Sequence, residues 1–71
     1  MATYYDTLRN ELKARIEHLQ KLLQESLEEE RRCKDNSDFE GFADAYAKSK
    51  DLIDEVVRLE YKCDFIKKNL M

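Results

Sequence analysis

From Phe42 to Leu70, small or apolar residues recur at steps of three and four without a break: Phe42, Ala45, Ser49, Leu52, Val56, Leu59, Cys63, Ile66 and Leu70. This seven-residue rhythm marks a helix that lays one seam along another helix. A strand would need alternation at every second residue, which is absent here. No proline interrupts the seam, and the single glycine, Gly41, stands at its start.

A second periodic segment precedes it. Leu8, Leu12, Ile16, Leu19, Leu23 and Leu27 follow steps of four, four, three, four and four. Leu8, Leu19 and Glu30 are eleven apart, so this stripe is expected to run nearly straight rather than as a strict heptad. Arg31, Arg32 and Lys34 place positive charge where a helix C-terminus favours it. Asp35, Asn36 and Ser37 then bring turn chemistry. Ser37 followed by Glu40 reads as a capping box opening the next helix. Acid-first pairs four apart, such as Glu11–Arg15, Glu28–Arg32, Asp54–Arg58 and Asp64–Lys68, support both segments by a few tenths of a kcal/mol each.

The expected fold is all-α: one domain over residues 1–71, with helices at about 3–34 and 38–70 joined by a turn at about 35–37. Two long helices with so short a link must fold back as an antiparallel hairpin. Facing residues then sum to roughly 72 by antiparallel geometry, which sets Ile16 against Val56, Leu19 against Ile53, and Leu27 with Glu30 against Phe42.

Such a hairpin leaves apolar residues over. On α-helical rotation, Val57, Tyr61 and Phe65 lie roughly 160° from the Val56–Ile66 seam. Ile53, Tyr4 and Tyr5 are also left without cover. Chains of this length are marginal unless stapled, metallated or oligomerised. The expectation is therefore a homodimer, two hairpins forming a four-helix bundle, with Ile53, Val57, Tyr61, Phe65, Tyr4 and Tyr5 at the self-association surface.

Chemistry is sparsely provided. His18 is the only histidine, and Arg15 precedes it by three, so no Glu-x-x-His metal pair forms. Cys33 and Cys63 fit reduced thiols acting as small apolar fillers. Only a head-to-tail dimer would bring one near the other. No phosphate loop or nucleophile–base pair occurs, so the chain is read as non-enzymatic and free of cofactors and metals. The net charge of −3 argues against direct nucleic-acid binding, and no run approaches the length of a membrane span. A cytoplasmic protein is expected.

Binding to another protein is the remaining function, as a small regulator, adaptor or inhibitor. The aromatic cluster Phe39, Phe42 and Tyr46 beside the turn is one candidate partner surface. The acidic row Glu40, Asp44, Asp51 and Glu55 is another, which would serve an inhibitor imitating nucleic-acid charge. An RNA-binding hairpin dimer ranks last, because no basic face emerges. The fragment SKDLIDEVVRLEY resembles the signature of the small helical-hairpin phosphatases of sporulation regulators at Ser49 and Leu52. Ile53 stands where that signature has aspartate, so neither activity nor site residues carry over.

Overall fold

The computed structural model describes residues 3–70. They form two helices, α1 (Tyr4–Asp35, 32 residues) and α2 (Phe39–Asn69, 31 residues), folded back on each other as an all-α hairpin. The result is a slab with Cα extents of 53 × 18 × 11 Å. Each helix lies within one residue of its expected ends.

Both helix starts are capped by side chains, though not as expected. At α1, the Asp6 amide donates to Thr3 Oγ1 at 3.2 Å and the Thr3 amide donates to Asp6 Oδ2 at 3.1 Å. This reciprocal capping box, a Thr-x-x-Asp pattern, lay in plain view in the sequence. At α2, the cap is Asp38, whose Oδ1 accepts from the Gly41 amide at 3.0 Å. Ser37 is not the cap, which corrects the Ser37–Glu40 reading. It has φ 55, the left-handed conformation that ends the preceding helix.

The turn is a complete Schellman motif. The Asp38 amide donates to the Cys33 carbonyl at 2.8 Å and the Ser37 amide to the Lys34 carbonyl at 3.2 Å. Gly41 serves close approach here. A Cβ at that position would lie 2.5 Å from Asp38 Oδ2 and 2.9 Å from Cys33 Sγ. The glycine lets the first turn of α2 close onto its cap and onto the end of α1 together.

The core follows the α2 seam. Ile16, Leu19, Val56, Leu59 and Cys63 form a buried cluster, with Leu12, Leu22 and Leu52 packed against it. On α1 the seam departs from the leucine stripe. Beyond Leu19 the inward positions run Leu23, Ser26, Glu30 and Cys33, with Ser26 and Cys33 buried. Those steps alternate three and four, a strict heptad continuing from Leu12 and Ile16, so the straight-stripe expectation fails. Leu27 is instead 48% exposed.

A polar layer occupies this part of the seam, with Ser26 buried where Leu27 was expected. Ser49 Oγ lies 2.8 Å from Ser26 Oγ and 2.9 Å from Glu30 Oε2, and Ser26 Oγ donates to the Ala45 carbonyl at 3.1 Å. The Glu30 carboxylate thus reaches Ser49 on the facing helix. Ion pairing also departs from the local pattern. Arg15 reaches across to Glu55 at 3.7 Å rather than back to Glu11. Arg32 pairs with Glu29 at 3.1 Å rather than with Glu28, while Lys68–Asp64 forms at 3.0 Å.

Candidate protein-interaction surfaces

A hairpin seam has two flanks, and heptad spacing assigns residues to them. Positions seven apart keep the same side of a seam that itself repeats every seven. On α2, Asp44, Asp51, Arg58 and Phe65 form one column, and Phe39, Tyr46, Ile53, Glu60 and Lys67 form another on the opposite side. On α1, Leu8, Arg15, Leu22 and Glu29 belong with the first column. Lys13, Gln20, Leu27 and Lys34 belong with the second.

The grooves between the helices agree with this division. On the first flank, a groove of about 450 Å³ near the turn is lined by Glu25, Glu29, Asp44 and Lys48. Farther from the turn, a groove of about 460 Å³ is lined by Leu8, Leu12, Tyr61 and Phe65. On the second flank, Phe39 and Phe42 meet Lys34 near the turn. At its far end lie Arg9, Lys13, Lys67, Glu60 and Asp64. Charge is mixed on both flanks: Lys48 stands with Glu25, Glu29 and Asp44, Lys62 borders the Leu8–Phe65 groove, and Glu60 and Asp64 stand with Lys13 and Lys67.

The self-association residues expected from sequence do not share one face. Ile53, Val57, Tyr61 and Phe65 are four apart, and each such step turns about 40° around the helix. Ile53 lies on the second flank. Val57 looks outward over a groove lined by α2 alone, and Tyr61, 77% exposed, borders both that groove and the first-flank groove. Phe65 lies on the first flank beside Leu12. Tyr4 is 74% exposed and packs edge-to-face on the half-buried Tyr5, with ring centroids 5.3 Å apart.

Of the partner-binding candidates, Phe39 is 80% exposed. Phe42 and Tyr46 stack with centroids 6.4 Å apart and planes at 21°. Leu27, which the sequence reading had turned inward, belongs to this aromatic side, two heptads from Lys13 and one from Lys34. The acidic row is discontinuous. Lys48 stands in the groove with Asp44, and Glu55 is half-buried and paired with Arg15. Glu40 and Asp51 are exposed.

The cysteines are both buried and free. Burial, a hydrogen bond to Glu29 at 3.6 Å, and the Glu29 and Asp38 carboxylates hold the Cys33 thiol above its ordinary pKa, against a smaller opposing pull from Arg32. Among the described residues, no group of three or more His, Cys, Asp or Glu is placed to hold a metal ion. No described helix is long and apolar enough to cross a membrane. No family model matches the chain, and neither a curated protein nor a solved structure matches it.

Proposed function

We propose that this chain is a non-enzymatic protein–protein interaction module, a small regulator, adaptor or inhibitor that works by binding protein, a second copy of itself included. One observation carries the reading: Phe39, Tyr61 and Tyr4 are each about three-quarters exposed or more on rigid helices. An aromatic ring held on a helix has little freedom left to lose, so its burial by a partner goes largely into affinity. Two hairpins laid face to face make a four-helix bundle, the simplest way to cover such surface with an identical chain.

Sedimentation from micromolar to millimolar concentration tests this reading. The expected outcome is a mass that grows with concentration in the wild type and stays at one chain in Tyr61→Glu with Phe65→Glu. A wild type that stays monomeric throughout removes the self-association. Cross-linking in extract of the source cells tests the second partner, with loss of the adduct expected for Phe39→Ala with Tyr46→Ala. An unchanged adduct in that variant removes the aromatic surface from the account.

A further inference from the structure

We draw no further inference here: the strongest candidate, the apolar groove that Leu8, Leu12, Tyr61 and Phe65 line between the two helices at the end far from the turn, is an unpartnered face, and nothing in the structure shows what covers it.

Discussion

Ser37 holds the turn in a conformation that suits another residue better. At φ 55 its Cβ crowds the backbone, a penalty of roughly 1–2 kcal/mol that glycine does not incur. The Schellman bonds around it keep it there regardless. Ser37→Gly is therefore expected to raise stability by about 0.5–1 kcal/mol, after allowance for the looser unfolded chain, read as a higher urea midpoint with an unchanged slope. Ser37→Ala retains the penalty and is expected to give no such gain. Cys33, four residues earlier, meets the opposite situation, because its surroundings oppose the thiolate. The raised pKa favours the fold below the ordinary thiol range, and this contribution is lost as pH rises through the folded value. Alkylation of Cys33 is accordingly expected to be slow at neutral pH and to accelerate with rising pH. Glu29→Gln removes the largest neighbouring charge and is expected to shift that acceleration to lower pH, a change that mass spectrometry of the labelled peptide reads directly.

The two helices were unequally legible. In α2 every seam position from Ala45 to Ile66 is apolar or small, so periodicity alone placed it. In α1 the heptad continues through Ser26 and Glu30, and two polar residues hid it behind a more conspicuous leucine, Leu27. The missing signal was pairwise: Ser26 and Ser49 fall opposite each other in the hairpin, so one buried hydroxyl answers another. Each serine has one proton to give. Ser26 donates to the Ala45 carbonyl, and Ser49 divides its proton between Ser26 and the Glu30 carboxylate. Ser49→Ala strands the half-buried carboxylate and is expected to cost about 1–2 kcal/mol in urea unfolding. Adding Glu30→Leu makes the layer apolar and is expected to recover that loss or exceed it. A double variant no more stable than Ser49→Ala alone would show that the layer's value lies in packing rather than in satisfying Glu30. The candidate surfaces were legible as residues but not as faces. Steps of four turn Ile53 and Phe65 onto opposite flanks, whereas steps of seven, read against the true α1 seam, would have separated them.

A slab 11 Å thick has little interior, and its largest apolar side chains lie on its surfaces rather than between its helices. On the self-association proposed above, its stability is tied to its company. If a folded chain associates and an unfolded one does not, mass action stabilises the fold in proportion to the logarithm of concentration. For a chain of this size, 1 kcal/mol corresponds to a shift of about 4–8 °C in melting temperature, so each tenfold rise in concentration is expected to raise the melting temperature by several degrees. Salt separates the contributions. In 1 M sodium chloride the screening length falls to about 3 Å, which weakens contacts between exposed charges and leaves apolar burial largely intact. The concentration dependence is thus expected to persist in high salt while the melting temperature at any one concentration falls. Scanning calorimetry across a concentration series, at low and high salt, checks both. A melting temperature independent of concentration in low salt would mean that the hairpin is stable by itself despite its thin core.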